Sequence, residues 1–165
     1  MNSRTHQITI AGPVGFIELS IDLPDALQAD PNFAVRGLAL IAHPHPLLGG
    51  TKDNKVVQTL ARTFNQLAYV SVRPNFRGVG LSAGVHDEGR GELSDLLLIS
   101  DWMRTPQSWL PHINHASEQA WVSKVNQLPL VVAGFSFGSY VGSHLVNQLS
   151  ELDKPVERFV MVGSA

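Results

Sequence analysis

The chain has no cysteine among its 165 residues. That excludes a disulfide framework, a zinc ribbon and a thiol nucleophile. Charge is scarce as well: Asp, Glu, Lys and Arg make up 16%, and the formal net charge is −2. Such a balance leaves no electrostatic footprint for nucleic acid. No apolar run approaches membrane-spanning length, and the opening MNSRTHQITI lacks the apolar stretch of a signal peptide. The expectation is a soluble, cytoplasmic protein with neither membrane nor nucleic acid as partner. Internal repeats and low-complexity tracts are also missing. What is present is apolar: 44% hydrophobic residues in a length that suits one domain, 1–165, with a buried parallel sheet.

Periodicity orders the elements. Gln7 to Ala11 and Val14 to Leu23 read as two strands around a Gly12-Pro13 turn. Asp25 to Phe33 reads as loop. Leu38 to Ala42 is a short apolar run with the look of a central strand, ending in HPHPLLGG. A helix is predicted near Asn54 to Gln66, with Asp53 as N-cap and Val56, Val57, Leu60, Ala61 and Phe64 on one face. Ala68 to Arg73 is the next strand and runs into the glycine-rich PNFRGVGLS. Glu92 to Arg104 is a helix with Leu93, Leu96, Leu97 and Met103 inward, stopped by Pro106. Residues 105–128 read as a surface insertion, with a short helix near Ser117 to Val125. Arg158 to Val162 is a last apolar strand. Strands alternating with helices, after an antiparallel start, indicate a parallel sheet covered on both faces.

The chemistry concentrates in LVVAGFSFGSY, Leu130 to Tyr140. An apolar strand, a G-x-S-x-G turn and an amphipathic helix follow one another. Val141, Leu145, Val146, Leu149 and Leu152 form the buried face of that helix. In this context the turn lifts the Ser136 hydroxyl clear of the sheet. Gly134 and Gly138 are needed where strand and helix backbones nearly touch. The Phe137 N–H, at the helix start, points where a developing oxyanion would sit.

HPHPLLGG after one strand, PNFRGVGLSAG after the next and GFSFGSY after the third resemble the small bacterial α/β-hydrolases related to dienelactone hydrolase. The likeness spans about residues 6 to 165. It implies a three-layer α/β/α fold, mostly parallel with antiparallel N-terminal strands. It also implies that the strand ending at His43 lies beside the strand ending at Gly134, so that their loops share one carboxyl-end crevice. Ser136 is then the nucleophile of a hydrolase of small ester-like substrates, with Phe137 N–H as one oxyanion donor. The second donor comes from the HPHP loop, where Pro44 and Pro46 have no N–H and only His45 or Leu47 can donate. The family pattern points to the His45 backbone. No cofactor is implied.

The sequence departs from that pattern after Ser136. The family's triad continues with Asp or Glu and then His on later strands. Here the acids that follow are Glu151, Asp153 and Glu157, and the histidine is His144. His144 stands about 12 Å further along the helix and is out of reach. The last strands and helices of the family are missing, which reads as a C-terminal truncation or as groups supplied from elsewhere. Two functions remain: a serine hydrolase acting through an acyl-enzyme, or a catalytically inactive hydrolase-fold remnant or interaction protein. An improvised dyad could use His43 or His45, with Asp53 or Asp87 brought near. Against it stands the plainer reading that both histidines shape the oxyanion loop. Metal sites from His43 and His45, or from His112 and His115, lack a carboxylate or cysteine at ligand spacing. His86 reads as a solvated loop residue. Arg77 reads as a structural arginine bracing its loop through backbone carbonyls. Trp109 and Trp121 could line a pocket or pack the insertion onto the body. The strand 158–162, left as an apolar edge, is expected to pair with a second copy.

Overall fold

The computed structural model describes residues 5–30, 32–113 and 127–163. Two N-terminal strands, β1 (Thr5–Gly12) and β2 (Gly15–Asp22), form an antiparallel hairpin. β2 continues antiparallel onto β4 (Tyr69–Pro74). From there the sheet is parallel: β4 pairs with β3 (Gly37–Ala42), β3 with β5 (Leu130–Phe135), and β5 with β6 (Arg158–Val162). The spatial order is β1-β2-β4-β3-β5-β6.

β3 is wholly buried because both faces of the sheet are covered there. Period-two alternation then divides its side chains. Ala39 and Ile41 meet Val57, Ala61 and Phe64 of helix α2 (Lys55–Gln66). Leu38, Leu40 and Ala42 face the larger cluster. That cluster contains Leu96, Ile99 and Met103 of α3 (Arg90–Met103) and, from the helix after β5, Val141, Leu145 and Leu149. Each fully buried leucine here contributes roughly 2–5 kcal/mol against truncation to alanine.

Several expectations are corrected. Residues 25–29 form a short helix, α1 (Asp25–Ala29), started by Pro24 and pinned by the buried Leu27. Five residues are too few for helical periodicity to register. The N-cap of α2 is Asn54, whose side chain accepts from Val56 N–H at 2.9 Å. Asp53 is drawn away to Arg73 and Lys52. After α3 comes α4 (Pro106–Trp109), then a 3₁₀ turn, Leu110–His112. Trp109, Leu110 and Ile113 are buried in the core, and the Trp109 indole donates to Met103 O at 2.8 Å. Residues 105–113 therefore belong to the body of the domain and not to a surface insertion. The short helix expected near 117–125, with His115 and Trp121, lies outside the described residues. The helix after β5 is α5 (Phe137–Glu151). Leu152, expected on its buried face, is its exposed C-cap.

Candidate active site

The pairing of Ala42 with Gly134 puts the carboxyl ends of β3 and β5 side by side, as the motif order implied. Ser136 sits between β5 and α5 at φ 52°, ψ −117°, left-handed backbone that a non-glycine residue rarely adopts. Strain of that kind costs on the order of 1–3 kcal/mol and persists only where the surroundings fix it. Here Ser136 N–H donates to Val162 O at 2.9 Å, and Ser136 O accepts from Ser139 N–H at 2.8 Å and Tyr140 N–H at 3.2 Å. The flanking glycines let the backbones approach. A Cβ on Gly134 would strike the Gly138 carbonyl, and one on Gly138 would strike the Ala42 carbonyl and lie 2.7 Å from His43 O. Among the described residues the Phe137 N–H, at the first helical position, has no hydrogen-bond acceptor.

The HPHP loop presents a second such donor. His45 precedes the 3₁₀ turn Pro46–Leu48, and its carbonyl accepts from Leu48 and Gly50. Leu47 N–H is directed at His45 Nδ1, 3.2 Å away. That engages one of the two N–H groups left open by the prolines and leaves His45 N–H without a partner among the described residues. It also makes Nδ1 an acceptor, so the ring proton of neutral His45 sits on Nε2. In that tautomer the ring has no free basic nitrogen.

His43 is architectural. It is fully buried, its Nδ1 donates to Pro44 O at 2.7 Å, and its Nε2 accepts from Phe76 N–H at 2.9 Å. Burial lowers its pKa from 6.5 to about 4, against the opposing effect of the Pro44 carbonyl. With both nitrogens engaged it is not available as a base or a metal ligand. Asp53 and Asp87, the acids considered as orienters, pair with Arg73 and Lys52 and with Arg90.

Two loop residues differ from expectation. Arg77 grips a carboxylate and not backbone carbonyls: Nε and Nη2 reach Asp95 Oδ2 and Oδ1 at 2.9 and 2.7 Å. The guanidinium lies across Gly91, where a Cβ would collide with it. His86 is not a solvated residue. Its side chain is 14% exposed and its Nδ1 lies 3.1 Å from Oε1 of the fully buried Glu92. The periodic pattern of α3 held the signal for both partners, because Glu92 and Asp95 share the buried stripe with Leu96, Ile99 and Met103. A carboxylate on an apolar stripe requires a partner.

A cavity of about 390 Å³ opens over Ser136, lined by His45, Phe137, Ser139, Tyr140, Ser143 and Met161. The Ser139 and Ser143 hydroxyls donate to Gly134 O and Tyr140 O, at 2.7 Å each. His144 touches only the outer edge of this region, edge-on to Tyr140 with ring centroids 4.8 Å apart. A second cleft of about 370 Å³ lies around Asp22, Asp53 and Arg73, whose charges are already paired with one another. Among the described residues no group of three or more histidines and carboxylates could hold a metal ion. None of the described helices is long and apolar enough to cross a membrane.

A six-stranded, mostly parallel sheet with a serine elbow after its central parallel strands defines an α/β-hydrolase fold, which the chain shares with solved α/β serine hydrolase homologues. It is similar to solved serine hydrolase homologues. A structure of an α/β serine hydrolase homologue from Coxiella burnetii is 34% identical with a TM-score of 0.70, covering 98% of this chain and 62% of that one. A lidless α/β serine hydrolase from Xanthomonas campestris is 29% identical with a TM-score of 0.69, covering 98% and 71%. An esterase from Pyrococcus furiosus, 16% identical with a TM-score of 0.60 over 92% of this chain and 48% of its own, shares the fold alone. Among curated proteins, an uncharacterized protein of Rickettsia prowazekii is 33% identical over 147 residues, 89% of this chain and 52% of that protein. The chain thus spans about half the length of the curated relative it matches. The sequence matches no family model.

Proposed function

We propose that this chain carries the nucleophile and oxyanion hole of a serine hydrolase acting on small carboxylic esters. The observation that carries the reading is the Ser136 backbone, strained at φ 52° beneath a 390 Å³ cavity and flanked by two N–H groups without acceptors among the described residues. In the reaction, Ser136 Oγ attacks the ester carbonyl carbon and its proton passes to a base. Charge develops on the carbonyl oxygen, where Phe137 N–H and His45 N–H receive it. Collapse expels the alcohol and leaves an acyl-enzyme that water then cleaves. Gly134 and Gly138 permit the turn, and His43 and Arg77 hold the neighbouring loops in place. Among the described residues the cavity lining carries no Lys, Arg, Asp or Glu, which favours an uncharged substrate. The reading calls for no cofactor.

A second reading, an inactive hydrolase-fold or interaction protein, is favoured by one observation. Both ring nitrogens of His43 and the Nδ1 of His45 are engaged in hydrogen bonds, so neither histidine of the HPHP loop stands as a free base beside Ser136. A fluorophosphonate probe separates the two. Covalent labelling at Ser136 requires an activated hydroxyl, whereas failure to label at any pH between 6 and 9 supports the second reading.

A further inference from the structure

We infer that His86 is a positioning residue that holds the two oxyanion donors at their working separation; this rests on the proposed reading of the His45 and Phe137 N–H groups as an oxyanion hole. The rings of His45, His86 and Phe137 form a closed triangle, with centroids 4.9 Å apart for His45–His86, 5.3 Å for His86–Phe137 and 4.8 Å for His45–Phe137. The backbone N–H groups of two of those residues are the proposed donors. The third residue touches both. The triangle joins the loops after β3, β4 and β5, so the position of one donor relative to the other is set by side-chain packing across three loops.

His86 is itself fixed from below. The Glu92 carboxylate accepts the N–H of Asp87 and of Gly89, each at 2.9 Å, which shapes the segment that follows His86. The Nδ1 of His86 is buried and lies 3.1 Å from Glu92 Oε1, without the alignment of a hydrogen bond and with no other partner among the described residues. Gly89, whose N–H Glu92 accepts, packs closely on α5, because a Cβ there would come within 2.9 Å of the Tyr140 ring. The chain of contact runs from the start of α3 through Glu92 and His86 to His45 and Phe137. Oxyanion donors work only within a few tenths of an ångström of their ideal distance, so a residue that spaces them controls turnover without touching the substrate.

The test is steady-state hydrolysis of p-nitrophenyl acetate by the 165-residue chain, with kcat and KM separated. His86→Ala is expected to lower kcat about tenfold with KM unchanged, since the donors act on the transition state. His86→Phe, which keeps the ring contacts, is expected to recover most of that loss. Glu92→Gln keeps the volume but loses the charge facing Nδ1, and is expected to lower kcat a few-fold. Should His86→Ala not fold, the backbone amide resonances of His45 and Phe137 in Glu92→Gln replace it, and both are expected to shift. Equal kcat in wild type and His86→Ala overturns the positioning role alone, as do equal losses in His86→Ala and His86→Phe or unmoved amide resonances in Glu92→Gln. No hydrolysis above buffer by the wild-type chain overturns the oxyanion-hole reading of the His45 and Phe137 N–H groups, and the positioning role with it.

Discussion

At the scale of single residues, His43 shows how a histidine in a functional motif can serve architecture. Its Nε2 accepts the Phe76 N–H, so protonation would break the link between the loops after β3 and β4. The folded-state pKa of about 4 lies below the ordinary 6.5. Between those values the unfolded chain binds a proton that the folded chain does not, and stability therefore falls as pH drops through that window. Below the folded pKa both states are protonated and the slope vanishes. The full span is worth about 3 kcal/mol at 1.36 kcal/mol per unit. Urea unfolding at intervals from pH 7 to pH 3.5 is expected to show this loss, and His43→Asn is expected to flatten it at a lower overall stability. A wild-type profile that stays level between pH 6.5 and 4 would refute the assignment. Ser136 was legible from the sequence for a different reason: G-x-S-x-G between an apolar run and a helical pattern is a local signal. The role of His86 was not legible, because its partners are Glu92, six residues on, and two rings from other loops.

At the scale of elements, the helices and strands with clear periodicity were readable: β3, α2, β5 and α5 stand where the apolar spacing put them. The short helix α1 and the burial of Trp109, Leu110 and Ile113 were not, since five-residue helices and single buried aromatics carry no period. The clamp between the loop after β4 and α3 also escaped, although Asp95 stands on the buried stripe. Arg77 and Asp95 are 9% and 2% exposed and joined by two bonds. Hydrogen bonding to Asp95 raises the arginine pKa further, so the guanidinium stays charged. Asp95→Asn would strand a buried guanidinium, and removing one partner of such a pair costs roughly 3–5 kcal/mol. Chemical denaturation should show that loss, with a double variant, Arg77→Met with Asp95→Leu, recovering part of it. The edge strand β6 supports a proposal of its own. It pairs with β5 on one side, and Met161 is 57% exposed. We propose that the 165-residue polypeptide self-associates by pairing this edge with a second copy. Light scattering is expected to show a dimer or larger species that dissociates on Val160→Pro, whereas a monomer at high concentration would argue against it.

At the scale of the whole molecule, the question is how much catalysis an elbow and an oxyanion hole supply by themselves. Serine is a poor nucleophile at neutral pH unless a base removes its proton. In this chain His43 is engaged at both nitrogens, His45 at Nδ1, and His144 reaches only the outer face of Tyr140. Serine proteases stripped of triad members retain on the order of 10³–10⁴ over water, from the hole and binding alone. That residual activity does not use the serine. The 165-residue chain is therefore expected to hydrolyse p-nitrophenyl acetate very slowly, with Ser136→Ala changing the rate by less than about twofold. Replacing the His45 side chain with alanine is expected to matter little where only its N–H acts, beyond what the lost ring contacts with His86 and Phe137 cost in donor spacing. The relatives are longer: the Coxiella burnetii homologue extends beyond the 62% that this chain covers. Fusing the remaining portion of that homologue after residue 163 tests what the chain alone does not supply. If that portion brings a base and its orienting acid to Ser136, hydrolysis rises by roughly a thousandfold or more and becomes wholly dependent on Ser136. Fast, Ser136-dependent hydrolysis by the 165-residue chain alone would instead mean that a base already stands within it.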